Sequence, residues 1–160
     1  MAYRIELPFT DIGLMDIATP QRGDIVVFNS KAADTRLVKR VIGLPGDNIA
    51  MVNNQLVING QVINYQTNHD KNSVSEQLTE QPHAVQFIPR AQVMDNFKSV
   101  TVPAEHYLVL GDNRNNSSDS RVIGFVPFSE IQGKALRVVV SLDPENYYIP
   151  RPARTLSPLI

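Results

Sequence analysis

The sequence predicts an all-β protein built from short antiparallel strands. Three observations lead there. Apolar residues come in short runs, as in Ile25-Val-Val-Phe28, Tyr107-Leu-Val-Leu110 and Val122-Ile-Gly-Phe-Val126, too brief for helices of ordinary length. Eleven Pro and eight Gly interrupt a chain rich in Val, Ile and Leu. Asn59-Gly60 is the strongest short-range hairpin signal a sequence carries, because a two-residue turn needs positive φ at both positions.

Each element follows from its local pattern. Residues 1–21 are mixed, with a weak apolar set at Ile12, Leu14, Met15 and Ile17. Pro20 and Gly23 bracket a turn, Asp24 to Phe28 reads as a buried strand, and Asn29 to Thr35 as a loop. Arg36 to Leu44 is a second strand, closed by the turn Gly43-Leu-Pro-Gly-Asp47, in which Gly46 supplies a positive φ. Asn48 to Val52 and Gln55 to Ile58 pair across Asn53-Asn54, and Asn59-Gly60 leads into a strand from Gln61 to Tyr65. Residues 66–98 are polar and without a period, which predicts a long loop or an accessory excursion. Ser99 to Val102 and His106 to Leu110 are strands. Val122 to Val126 reads as extended, Phe128 to Gly133 as a helical turn capped by Gly133, and Ala135 to Leu142 as the last strong strand. The tail from Asp143 should lie on the surface.

At 160 residues the chain is long enough for one ordinary domain, or a small one with an insertion. A net charge of −1 offers no basic excess for nucleic acid and no polybasic run for an anionic lipid surface. The absence of Cys excludes disulfides and thiol chemistry. His69, His83 and His106 lack ligand-like spacing, so no metal site and no cofactor is implied. No run approaches the roughly 18–20 apolar residues that span a bilayer, and Met1 to Leu7 lacks the pattern of a secretory signal.

The chemistry concentrates in Gly111-Asp-Asn-Arg-Asn-Asn-Ser-Ser-Asp-Ser-Arg121. Three hydroxyls, two carboxylates, two guanidiniums and three side-chain amides occupy eleven residues. A turn needs Gly, Asn and Ser but not interleaved Asp and Arg, so the segment reads as a loop tied down by charge-assisted hydrogen bonds. A solvated loop is the alternative on composition alone. Lys39 lies between Leu37-Val38 and Val41-Ile42. On a strand, Leu37, Lys39 and Val41 share one face, so the amine projects from an apolar wall, with Arg40 on the other face beside Val38 and Ile42. A Lys has a reference pKa of about 10.4, and an apolar setting lowers it toward the range where a neutral amine acts as a base. The alternative is an edge-strand Lys-Arg pair that discourages strand addition.

Three segments taken in order, Arg22-Gly-Asp-Ile-Val-Val-Phe28, Lys39-Arg-Val-Ile-Gly-Leu-Pro-Gly-Asp47 and the 111–121 loop, closely resemble bacterial type I signal peptidases. The resemblance covers Arg22 to about Asp47 and about Pro103 to Asp143, with the variable part of the family between them. It implies coiled antiparallel sheets of the signal-peptidase type, with a small hairpin-rich insert at about 50–100 in one catalytic-type domain over 1–160. It implies that Lys39 is the general base of a Ser–Lys dyad, that Ser117 orients its amine, and that Asp119 and Arg121 hold one another and keep the loop closed. Asp112 would pair with Arg40 across the site. The implied activity is removal of signal peptides from exported preproteins after an Ala-x-Ala pattern, by an enzyme anchored in the bacterial cytoplasmic membrane and working on its outer face.

Departures accompany the resemblance. Leu37 stands where an aromatic residue is common, and Asn115 where an Asp is common. The family's nucleophile lies in a Ser-x-x-Pro setting after a membrane span. The chain is read as lacking that setting, hence as an N-terminally shortened form carrying only the Lys half of the dyad and inactive alone. Two alternatives stay open: another Ser–Lys peptidase, such as a conjugation-pilus peptidase or self-cleaving repressor domain, and a serine-less relative serving as a binding module.

Overall fold

The computed structural model describes residues 3–6, 13–16, 18–67, 73–87, 96–137, 142–143, 149–150 and 158. The protein is mainly β, in antiparallel sheets. Two short strands open the chain, β1 (Arg4–Glu6) and β2 (Gly13–Asp16), and they pair with each other. Ile12 and Ile17 of the expected apolar set lie outside the described residues.

The central sheet begins with β3 (Ile25–Ser30) and β4 (Thr35–Gly43), a hairpin in which Val26 faces Lys39 and Phe28 faces Leu37. Pro45 and Gly46 then make the turn, with Gly46 at φ 88° and the Asp47 N–H donating to the Leu44 carbonyl over 3.0 Å. A hairpin follows, β5 (Asn48–Val52) and β6 (Gln55–Ile58), across Asn53 and Asn54 at φ 49° and 65°. β7 (Gln61–Val62) pairs back on β6 across Asn59-Gly60. Next come β8 (Tyr65–Thr67), β9 (Ser73–Glu76) and β10 (His83–Gln86), which form their own three-stranded sheet. β11 (Phe97–Thr101) joins β5 to complete a four-stranded sheet, and β12 (His106–Leu110) returns to β4. A short helix, α1 (Ser120–Ile123), precedes β13 (Val126–Pro127) on β12, a 3-10 turn over Phe128–Glu130, and β14 (Ile131–Lys134) on β3. The central sheet thus runs β13-β12-β4-β3-β14. A last pair, β15 (Leu142–Asp143) and β16 (Ile149–Pro150), lies in the tail.

The central sheet is buried on both faces at β12 and the end of β4, which explains why Tyr107 to Leu110 is continuously apolar rather than alternating. Tyr107 and Val109 join Val26, Phe28, Val41, Val126 and Ile131 in one core. Leu108 and Leu110 join Ile42 in the other, with Ile49, Met51, Leu56 and Ile58 of the four-stranded sheet. Among the described residues no helix is long and apolar enough to cross a membrane.

Several expectations are corrected. Residues 66–98 are not one long loop, because β9 and β10 stand within them. Their strand signal is obscured because the inward positions include Glu76 and His83, polar groups in place of apolar ones; Glu76 is paired with Arg114 and His83 Nε2 lies 3.3 Å from Glu76 Oε1. Residues 120–123 are helical rather than extended from 122, because Asp119 caps the turn through the Arg121 N–H. The helical turn after Pro127 stops at Glu130, and Gly133 is a strand residue rather than a cap. Of the strand expected over Ala135–Leu142, residues 135–137 are not a regular strand, with Arg137 making an isolated bridge, Leu142 belongs to a short strand, and residues 138–141 lie outside the described set; a strand not expected stands just before, at Ile131–Lys134. Gly43 belongs to β4, not to the turn. A Cβ there would meet Val102 Cγ2 at 2.9 Å and Leu108 Cβ at 3.1 Å, so its role is close approach between core layers.

That approach is testable. Gly43→Val should destabilise the fold by about 1–3 kcal/mol through overpacking, read as a lower urea midpoint at unchanged slope. A midpoint equal to or above the wild type would contradict the tight contact.

Candidate active site

Cross-strand register places Lys39. Directly opposed residues of an antiparallel pair project to the same side, so Lys39 stands with Val26, and Phe28 with Leu37, on the face that also holds Val41. Lys39 is half-buried, and its Nζ donates to Ser117 Oγ at 2.8 Å, the hydroxyl lying 78 residues downstream. The sheet brings them together because Leu110 pairs with Arg40, which sets Gly111 beside Lys39.

Gly111 makes that meeting possible. A Cβ on Gly111 would fall 2.1 Å from Ser117 Oγ and 2.6 Å from Ser117 Cβ, with Lys39 Nζ at 3.6 Å. No side chain fits there. Sequence reasoning counted Gly111 as the edge of the loop and missed this role; its place directly after a strand that ends opposite Arg40, beside Lys39, was the available signal.

Asp119 closes the loop. Its carboxylate is fully buried and accepts from the Gly111 N–H at 3.0 Å, the Arg121 N–H at 3.2 Å, Arg121 Nε at 2.8 Å and Arg121 Nη2 at 2.7 Å. Arg121 Nη2 also donates to the Arg114 carbonyl. Burial pushes the Asp119 carboxyl up, but the Arg121 and Gly111 donors outweigh it and leave its pKa below the ordinary value. Ser120 adds a bond, its Oγ accepting from the Val109 N–H at 2.9 Å, which ties α1 to β12.

Arg40 leaves β4 on the other face. It is buried and grips Asp112 bidentately, Nε to Oδ1 at 2.9 Å and Nη2 to Oδ2 at 2.8 Å, while Nη1 donates to the Gly23 carbonyl at 2.9 Å. Arg22 donates to Asp47 Oδ2 at 2.9 Å and to the Ile42 carbonyl, so the first and second motifs are joined across the turn. Asp24 accepts from Tyr3 Oη at 2.5 Å, from the Gln21 N–H at 3.0 Å and from Lys134. All six residues singled out in the sequence, Lys39, Arg40, Asp112, Ser117, Asp119 and Arg121, therefore fall into three contacting pairs around one loop. Glu76 and Arg114 were not among them. They form a bidentate pair at 2.6 Å for each bond, both fully buried.

One correction concerns serine. A Ser-x-x-Pro sequence does occur, at Ser141-Leu-Asp-Pro144, after the loop rather than ahead of the lysine strand. Ser141 lies outside the described residues.

The lowered Asp119 pKa fixes a sign. Its carboxylate contributes stability above the ordinary value of 3.8, and that contribution fades as pH falls through the folded-state pKa. Asp119→Asn should therefore cost about 1–3 kcal/mol near neutrality, with the gap to wild type narrowing on acidification. Thermal melts across pH 2–7 check it; a gap that widens toward acid would contradict the assignment.

Comparison with known proteins places the chain in a family. The family model described as signal peptidase, peptidase S26, matches residues 2–140. A signal peptidase I of Pseudomonas aeruginosa is 33% identical over 96% of this chain and 61% of its own length. Signal peptidase I S of Bacillus subtilis is 38% identical over 72% of this chain and 56% of its own. The crystal structure of a signal peptidase I from Enterococcus faecalis superposes with a TM-score of 0.50 at 31% identity, over 75% of this chain and 99% of that one. The chain thus spans 61% of the Pseudomonas relative, while the family match takes in most of its residues. It belongs to the signal peptidase S26 family.

Proposed function

We propose that this chain carries the base-bearing part of a type I signal peptidase that works through a Ser–Lys dyad. The observation that supports it is the 2.8 Å contact of Lys39 Nζ with Ser117 Oγ on an apolar sheet face, backed by Gly111. A serine hydroxyl placed beside Lys39 attacks the scissile carbonyl carbon while the neutral Lys39 amine takes its proton. The resulting ammonium gives that proton to the leaving amine, and the peptide C–N bond breaks to leave an acyl-enzyme. Water then attacks the ester carbonyl as Lys39 takes its proton; the C–Oγ bond breaks, the Lys39 ammonium returns the proton to the departing serine oxygen, and the product acid leaves. Ser117 holds the amine in line throughout, and Asp119 with Arg121 holds Ser117.

The substrates are secretory preproteins with small residues in an Ala-x-Ala pattern, cut on the outer face of the cytoplasmic membrane, to which the enzyme is anchored. The substrate adds as an extended strand along a sheet edge, with shallow pockets for the small side chains. Residues from about 50 to 100 form an accessory part of the same domain.

In the intact enzyme, Lys39→Ala should abolish preprotein cleavage with the fold retained by circular dichroism. Near-normal turnover would remove Lys39 from the mechanism. Ser117→Ala and Gly111→Ala should each reduce kcat by about 10²-fold, the first by deleting the partner and the second by displacing it. The orienting role also separates Ser117 from a nucleophile. A serine-reactive acylating probe applied to this 160-residue chain should leave Ser117 unlabelled. Stoichiometric acylation of Ser117 would show that it attacks and does not merely orient.

A further inference from the structure

The Glu76–Arg114 pair lies outside every step just described, yet it is among the most thoroughly buried polar groups of the described chain, with both side chains at 0% exposure. Burying two charges carries a desolvation cost that apolar residues of the same size would avoid, so such a pair is weak evidence for stability alone. Its location suggests what it does. Glu76 sits on β9 of the three-stranded sheet, and Arg114 sits within the 111–121 loop.

Two sets of hydrogen bonds and one set of close polar contacts run from this pair to the site. The first is backbone: the Gln86 N–H donates to the Asp112 carbonyl at 2.8 Å and the Arg114 N–H donates to the Gln86 carbonyl at 2.9 Å, so β10 and the loop share a short parallel bridge at Asn113. The second leads to Ser117: the Arg114 carbonyl accepts from Arg121, whose guanidinium grips Asp119, whose carboxylate fixes the Gly111 N–H. The third leads to Lys39: His83 Nε2 stands 3.3 Å from Glu76 Oε1 and 4.0 Å from Asp112 Oδ1, and Asp112 is gripped by Arg40, the next residue after Lys39. Tyr65 closes the cluster by donating to Glu76 Oε2.

We propose that Glu76 is a positioning residue: it anchors Arg114, and thereby sets the Ser117 hydroxyl against the Lys39 amine. The three-stranded sheet is then a clamp on the loop and not a separate decoration. The catalytic arm of the test rests on the signal-peptidase reading; the clamp itself does not.

Two measurements decide it. In the intact enzyme, Glu76→Gln should lower kcat for a preprotein by roughly 100-fold while KM stays within about twofold, because the base is misplaced but the substrate edge is not. Glu76→Asp, which keeps the charge, should recover part of that loss. In the present chain, hydrogen exchange at the Gly111 and Arg121 amides, the two backbone donors to Asp119, should quicken by about 10-fold or more in Glu76→Gln, while amides of the β3–β4 pairing keep their protection. Unchanged kcat with unchanged loop protection would overturn the proposal, and so would a uniform loss of protection across the central sheet. If Glu76→Gln does not fold, the apolar double variant Glu76→Leu/Arg114→Met should fold and show the same low kcat; full activity in that variant would overturn positioning. A wild-type enzyme that cleaves no preprotein would sink the functional reading, and the exchange measurement would still decide the clamp.

Discussion

The buried Asp119 carboxylate is the interaction on which the site depends. A carboxylate with no access to water is tolerable only when its lone pairs meet donors, and here two backbone amides and one guanidinium supply them. Those donors come from both ends of the loop. Gly111 is its first residue and Arg121 its last, so a single acceptor draws the entry and exit together. Once they are closed, the intervening residues have little freedom, and the Ser117 hydroxyl is delivered to the amine of Lys39. The cap that Asp119 places on α1 comes from the same geometry.

The loop can be held so tightly because it springs from β12 and the end of β4, the part of the sheet buried on both faces. β4 contributes Val41 to one core and Ile42 to the other, and β12 alternates in the same way. A strand clamped between two cores cannot slip, since a shift of one residue would send each core's side chains into the other. Lys39 and Arg40 inherit that fixity on opposite faces, one meeting Ser117 and the other Asp112. The absence of side chains at Gly43 and Gly111 allows the close approaches on which this arrangement relies.

Much of this was legible in the sequence, for physical reasons. The alternation around Lys39 needs only the strand period, and the turns at Gly46, Asn53-Asn54 and Asn59-Gly60 are each marked by residues that tolerate positive φ. The charged loop was visible because Asp and Arg are superfluous in a plain turn. What stayed hidden depended on distant partners. Glu76 and His83 look like surface residues of a polar stretch until Arg114 arrives from 38 residues beyond Glu76 to pair with it. The helix at 120–123 was missed because the run Val122 to Val126 looks extended, whereas the cap on Asp119 is an event of three residues. Gly43 was misread because a glycine needed for space looks the same in sequence as one needed for a turn.

The account turns on the claim that the loop's own bonds, closed at Asp119, put Ser117 against Lys39. The most direct measurement is the set of nuclear Overhauser effects between the Lys39 side-chain methylene protons and the Ser117 β protons, in the wild type and in Asp119→Ala. The account predicts clear cross-peaks in the wild type. It predicts their loss in Asp119→Ala, while the cross-strand contacts between Val26 and Lys39 backbone protons persist. Cross-peaks that survive the substitution at full intensity, or that are absent from the folded wild type, would contradict it.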